Sequence, residues 1–133
     1  KECCEKVNRA KEEGRNILAV GTTVQRALEA CVGPDERIKE FSGWTNKFIF
    51  PPYEFTVANA MLVNFHLPYS TLLMLTAAFG GYENTMKAYE VALAEDYRFG
   101  VYGDCMLIVD NPHCIMLILS LGSNLGNREQ LMQ

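Results

Sequence analysis

Asn16-Ile17-Leu18-Ala19-Val20-Gly21-Thr22-Thr23 is the stretch on which the fold turns. The apolar run from Ile17 to Val20 is too short for a helix and fits a buried strand. Gly21-Thr22-Thr23 turns the chain. Thr22 and Gln25, three residues apart, make a capping-box pattern for a helix that reaches about Cys31 and stops before Gly33-Pro34. Upstream, residues 2–13 place Cys3, Cys4, Val7 and Ala10 at helical spacing, and Gly14 is suited to end that helix. Helix, strand, glycine turn and helix in this order predict an α/β fold, layered, with a mostly parallel sheet.

The pattern continues downstream. Residues 33–46 are polar and read as a loop. Lys47 to Phe50 reads as a short strand closed by Pro51-Pro52, and Met61 to Phe65 as another. Ser70 is an N-cap candidate for an apolar helix running to Phe79, which its composition marks as buried, and Gly80-Gly81 breaks it. Residues 83–96 form a further helix with Met86, Tyr89, Ala92 and Leu93 on one face, and Cys105 to Val109 is a strand. The alternation from Asn16 to Val109 predicts three layers. Asp110 to His113 reads as a linker, and Ile115 to Leu121 as a second strand pattern followed by Gly122-Ser123-Asn124-Leu125-Gly126-Asn127.

The chain has 133 residues, 49% of them hydrophobic, enough for a core without disulfides. Net charge is −4, from 12 basic and 16 acidic side chains, and the basic ones are scattered. A nucleic-acid binder carries a basic stripe, because phosphate neutralisation dominates its affinity. Any RNA contact therefore rests mostly on surface outside this chain, or on a basic patch that only folding assembles. Five cysteines without a CxxC spacing suit a reducing compartment, where cysteine serves as small apolar filler. Cys105, His113 and Cys114 lack a fourth ligand at zinc spacing, so no metal site is expected. The most apolar run, Leu72 to Phe79, is far short of the roughly 20 residues that span a bilayer. With no signal peptide visible, a soluble cytoplasmic chain is expected.

Three places could carry chemistry. Gly21-Thr22-Thr23 opens a helix at a strand end, where bare amides favour anions or polar ligand groups. Alone, the motif fits a plain capped helix better. His66, in Asn64-Phe65-His66-Leu67-Pro68, could transfer protons near neutral pH. On chemistry alone, a structural histidine bonding its loop is the simpler reading. Arg98, Tyr102 and Asp104 lie in the glycine-punctuated loop Arg98-Phe99-Gly100-Val101-Tyr102-Gly103-Asp104. There, pocket lining and a plain Arg98–Asp104 pair are equally good readings.

Singly these motifs are weak; their order is specific. Ala19 to Thr23 with Arg26-Ala27-Leu28-Glu29, Phe48 to Phe55, Asn64 to Leu75, and Ala88-Tyr89 with Tyr97 to Ile108 resemble, in sequence, the S-adenosylmethionine:tRNA ribosyltransferase-isomerase family of queuosine biosynthesis. The resemblance spans about residues 5–109 without a large gap. This chain departs at Val24 and Gln25, where the family has Ser-Val. It departs again at Pro52, Val63, Tyr69 and Gly100-Val101.

The resemblance implies a C-terminal part, residues 1–109, of a larger α/β domain whose N-terminal half is missing. It implies transfer and isomerisation of the ribosyl part of S-adenosylmethionine onto an aminomethyl-deazaguanine base of tRNA, giving epoxyqueuosine. S-adenosylmethionine is then a consumed substrate, tRNA the partner, and no metal is involved. Of the residues here, it points to His66 and Asp104 as catalytic, and to Gly21, Thr22, Thr23, Arg26, Asn64, Arg98 and Tyr102 for substrate. Separately, Ile118 to Glu129 resembles the opening of hydroxymethyl-dihydropterin pyrophosphokinase. That would make residues 115–133 the truncated start of a second domain after a linker at 110–114. Two other classes stay open: a non-catalytic partner-binding fragment, or a piece of a bifunctional protein fused to that folate-pathway kinase.

Overall fold

The computed structural model describes residues 1–109 and the strand 117–121. The elements are α1 (Glu2–Glu12), β1 (Leu18–Val20), α2 (Thr22–Ala30), β2 (Ala60–Asn64), α3 (Thr71–Gly80), α4 (Tyr82–Ala94), β3 (Cys105–Val109) and β4 (Leu117–Leu121). The strands form one sheet in the order β1-β2-β3-β4. The linker expected at 110–114 and the glycine-containing segment after Leu121 lie outside the described residues, so of the second domain expected at 115–133 only β4 is described.

The α/β class holds, and the sheet is mixed rather than mostly parallel. β1 pairs with β2 in parallel, whereas β2–β3 and β3–β4 are antiparallel. The connections explain this. One helix, α2, returns the chain between β1 and β2, so both strands run the same way. Two helices, α3 and α4, separate β2 from β3, and an even number of traverses brings the chain back antiparallel.

Register places Ala19, Met61 and Ile108 in one row and Val63 opposite Met106. All five are buried and share a core with Phe65, Leu75, Phe79, Tyr89 and Ala92. The helical layer therefore covers this face. The opposite face carries Leu18 and Val20, 49% and 58% exposed, beside the partly exposed Leu62, Cys105 and Leu107. Periodicity predicts three layers; among the described residues there are two.

Several local readings also change. Gly21, not Thr22, occupies the N-cap of α2, at φ 96°, and no side chain caps it. The positive φ is why glycine stands there. Thr22 and Gln25 instead turn inward, where the Gln25 amide is fully buried with no hydrogen-bond partner among the described residues. Lys47 to Phe50 forms no strand: Ile49 enters the core while Phe48 and Phe50 stay exposed, and among the described residues the backbone pairs with no neighbouring strand. Ser70 caps α3 as expected, its Oγ accepting from Leu73 N at 3.2 Å. That helix is only half covered, with Leu72 and Met74 exposed, and Leu93 of α4 faces outward too.

Two side-chain devices hold the irregular crossover. Asn59 Oδ1 accepts from Ile17 N at 2.8 Å and Asn59 Nδ2 donates to Asn16 Oδ1, which sets β1 beside β2. Glu29 of α2 is 3% exposed. Its carboxylate accepts from Tyr53 Oη, Thr56 N, Thr56 Oγ1 and Val57 N at 3.0–3.1 Å. A buried carboxylate is tolerable when its lone pairs are filled in this way. Removing it strands several buried donors at once. Glu29→Ala should lower the unfolding free energy by about 3 kcal/mol or more, and Glu29→Gln by less, as read from urea denaturation of the 133-residue chain.

Candidate functional site

The carboxyl ends of the two parallel strands, Val20 and Asn64, lie side by side, and Gly21 N donates to Leu62 O at 2.8 Å. Ligands bind at such ends in open α/β sheets, because the loops there leave a crevice. A cleft of about 330 Å³ opens at this point. Gly21, Thr22 and Thr23 form one wall, Asn64 and His66 another, and Val20, Leu62 and Cys105 its floor on the open sheet face. The first-turn amides of α2 have no side-chain cap, so the positive end of the helix dipole borders the cleft.

His66 follows β2 directly. Its main-chain N donates to Tyr89 Oη at 2.8 Å. Phe65, fully buried, packs edge-on against Tyr89 and Tyr97 and against the tilted Phe99 ring at centroid distances of 5.2–5.6 Å, fixing the backbone beneath the imidazole. His66 Nε2 is buried and has no hydrogen-bond partner among the described residues. Burial pushes the imidazole below its ordinary value of 6.5, so it is neutral at pH 7 and carries a free lone pair on one ring nitrogen.

Asn64 does not orient the His66 ring. Its Nδ2 donates to Gly103 O at 3.1 Å and more weakly to Asp104 O, tying the 98–104 loop to the end of β2. That loop closes on itself. Asp104 is 6% exposed and its Oδ2 accepts from the main-chain N of Arg98 at 2.8 Å, while Asp104 N donates to Arg98 O. The link between these two residues thus runs through the Arg98 main chain. Gly103 is required for the closure, since a Cβ there would meet Arg98 O at 2.3 Å.

Of the residues singled out from sequence, Gly21, Thr22, Thr23, Asn64 and His66 come together in one cleft. Arg26 lines an adjoining cleft of about 160 Å³ that shares Thr22 and Thr23, with Phe48, Ile49 and Thr71 across from it. Arg98 and Tyr102 are exposed on the neighbouring loop, Tyr102 almost fully, and neither lines the cleft. Cys105 reads as filler in the sequence, yet it borders the cleft. Its position opposite Asn64 in the β2–β3 register puts it there, and sequence carries no sign of that register. Among the described residues no group of three or more His, Cys, Asp or Glu side chains could hold a metal ion, and no helix is long and apolar enough to cross a membrane.

A family model described as "Queuosine biosynthesis protein" matches residues 1–108. The chain is similar to the S-adenosylmethionine:tRNA ribosyltransferase-isomerase of Phocaeicola vulgatus, 67% identical over 109 residues, which are 82% of this chain and 31% of the relative. It is similar to the protein of that name from Bacteroides fragilis, 67% identical over 104 residues, 78% of this chain and 30% of the relative. A crystal structure of S-adenosylmethionine tRNA ribosyltransferase from Thermotoga maritima superposes with a TM-score of 0.75 at 47% identity, covering 80% of this chain and 37% of that one. The chain thus spans about a third of the length of the curated relatives it matches.

The lowered pKa of His66 has a consequence for stability. An imidazole that titrates lower folded than unfolded favours the native state fully above the unfolded value, and this contribution is lost as pH falls below about 6.5 toward the folded value. His66→Gln removes it. The stability difference between wild type and His66→Gln should shift in the variant's favour between pH 7 and pH 5, measured by urea denaturation at each pH. A difference that does not change with pH would show that the imidazole titrates normally.

Proposed function

The chain belongs to the queuosine biosynthesis protein family, and from that premise we propose that it forms the C-terminal part of the α/β domain of an S-adenosylmethionine:tRNA ribosyltransferase-isomerase. In this reading residues 1–109 carry the domain, 110–114 are a linker, and 115–133 begin a second unit that resembles the opening of a pterin pyrophosphokinase, its strand β4 being added to the edge of the same sheet. The site of action is the cytoplasm.

The substrates are S-adenosylmethionine, which is consumed, and a tRNA bearing an aminomethyl-deazaguanine base. The amine takes up the ribosyl group, adenine and methionine depart, and the sugar rearranges to the epoxide of epoxyqueuosine. The reaction calls for a base to remove a proton next to the sulfonium, donors for the departing adenine, and a cradle for the sugar. It calls for no metal.

One observation carries the reading: a neutral, desolvated imidazole with an unpartnered ring nitrogen stands at a cleft faced by an uncapped helix N-terminus. A base in that state accepts a proton without first losing one. We assign acid/base work to His66. Gly21, Thr22, Thr23 and Asn64 supply polar and backbone contacts to substrate, and Arg26 reaches it from the adjoining cleft. Asp104, by closing the 98–104 loop, fits a catalytic role through positioning, with Arg98 and Tyr102 presented on that loop to the tRNA. The chain's net charge of −4 leaves most phosphate contacts to the rest of the protein.

The test uses a chimera in which residues 1–109 replace the matching third of the Phocaeicola vulgatus relative. It should release adenine from S-adenosylmethionine in the presence of precursor tRNA; a folded chimera that releases none sinks the proposal. In the chimera, His66→Ala should lower turnover per folded molecule by roughly 10²–10⁴-fold, the usual scale for a general acid or base. Near-normal turnover would move the assignment to Asp104. The 133-residue chain by itself should release no adenine under the same conditions, since the remaining two thirds of the relatives is needed.

A further inference from the structure

Residues 41–50, Phe41-Ser42-Gly43-Trp44-Thr45-Asn46-Lys47-Phe48-Ile49-Phe50, form no helix or strand, and of their apolar side chains only Ile49 is buried. The aromatic rings stand in solvent. Trp44 is fully exposed, and Phe41, Phe48 and Phe50 are about half exposed. Phe48 and Phe50, on either side of Ile49, have ring centroids 5.6 Å apart. Large apolar groups exposed in such density mark a site of association. The charge of the segment is as uneven. The chain carries a net charge of −4, yet residues 41–50 contain no acid and a single cation, Lys47. The acids just upstream are engaged: Asp35 with Lys39, Glu36 with Lys11, and Glu40 with the Lys1 amino group. Lys47 makes no salt bridge among the described residues, and its Nζ stands over the Tyr53 ring, 5.1 Å from the centroid.

Phe48 lines the Arg26 cleft, which shares Thr22 and Thr23 with the His66 cleft. The rings therefore stand at the rim of the candidate site. A base that enters a protein cleft leaves its neighbours on the strand unstacked, and proteins receive such bases on aromatic faces. Stacking asks for a π-face rather than a basic stripe, so an acidic chain can supply it. We propose that Trp44, Phe48 and Phe50, with Lys47 beside them, form a stacking platform for the unpaired bases that flank the reacting base of the tRNA, an assignment that rests on tRNA being the substrate. A protein layer is the other occupant such rings could have. The charge favours RNA: an acid-free segment whose lysine has no carboxylate partner complements a phosphate backbone.

Trp44 is the sole tryptophan of the chain, so its emission reads the platform directly. The 133-residue chain is titrated at low salt with an RNA stem-loop and, separately, with a fully paired RNA duplex carrying as many phosphates. The stem-loop should quench Trp44 saturably, and the duplex should leave it unchanged. Phe50→Leu, which keeps apolar bulk without a π-face, should weaken stem-loop binding by about five- to a hundredfold, the range for one base–aromatic stack. Lys47→Gln should flatten the slope of log affinity against log salt by about 0.7, one phosphate on a single strand. In the chimera defined above, Trp44→Leu should raise KM for tRNA at least about tenfold and leave KM for S-adenosylmethionine unchanged, and Trp44→Phe should restore most of the loss. Equal quenching by both RNAs, or by neither, overturns the inference. So does a Trp44 that acrylamide fails to reach in the RNA-free chimera, read as the difference from its Trp44→Phe variant, since the rest of the protein would then be the occupant. A chimera that releases adenine while Trp44→Leu and Phe50→Leu bind tRNA like the parent keeps the reaction and loses the platform. A chimera that releases none while those variants lose tRNA binding keeps the platform and loses the reaction.

Discussion

The parallel pairing of β1 with β2 is the constraint on which the rest of the structure depends. Ala19 stands opposite Met61, and that register puts Gly21 against Leu62 and the start of α2 beside Asn64 and His66. Thirty-nine residues of mostly irregular chain separate the two strands, so closing that loop costs entropy that local structure does not return. The compensation comes from buried polar groups. Asn59 ties the entrances of the two strands, and Glu29 gathers the donors of residues 53–57 onto α2. Shifting either would move the strand ends, and with them both walls of the cleft.

The second support is aromatic. Phe65 packs among Tyr89, Tyr97 and Phe99 beneath the chain that carries His66. Gly100 N donates to Phe65 O and Phe65 N to Asp104 O, so the 98–104 loop continues the β2–β3 ladder past the end of the strands. The loop is thus a rigid extension of the sheet, with Asp104 turned inward and Arg98 and Tyr102 outward. A buried carboxylate held by a main-chain amide keeps its place whatever the exposed side chains do.

The same burial that fixes His66 sets its chemistry. Desolvation disfavours the imidazolium, so the neutral form prevails at pH 7. The amides at the start of α2 oppose it across the cleft with positive partial charge. A neutral imidazole thus faces a helix end that favours negative charge.

By itself the sequence determined the α/β class, the helices, the Ser70 cap and the order of motifs that marks the family, because these depend on local periodicity and residue identity. Gly21, Thr22, Thr23, Asn64 and His66 were also legible, since each sits where a strand meets a turn. Only the tertiary structure decided that the sheet is mixed, that Ile49 enters the core without a strand, and that Asn64 serves the 98–104 loop rather than the imidazole. It alone placed Cys105 at the cleft and Arg98 and Tyr102 off it. Those outcomes depend on register and on which face of each strand is covered. Both are set by contacts between residues some 40 positions apart, and no short stretch of chain encodes them.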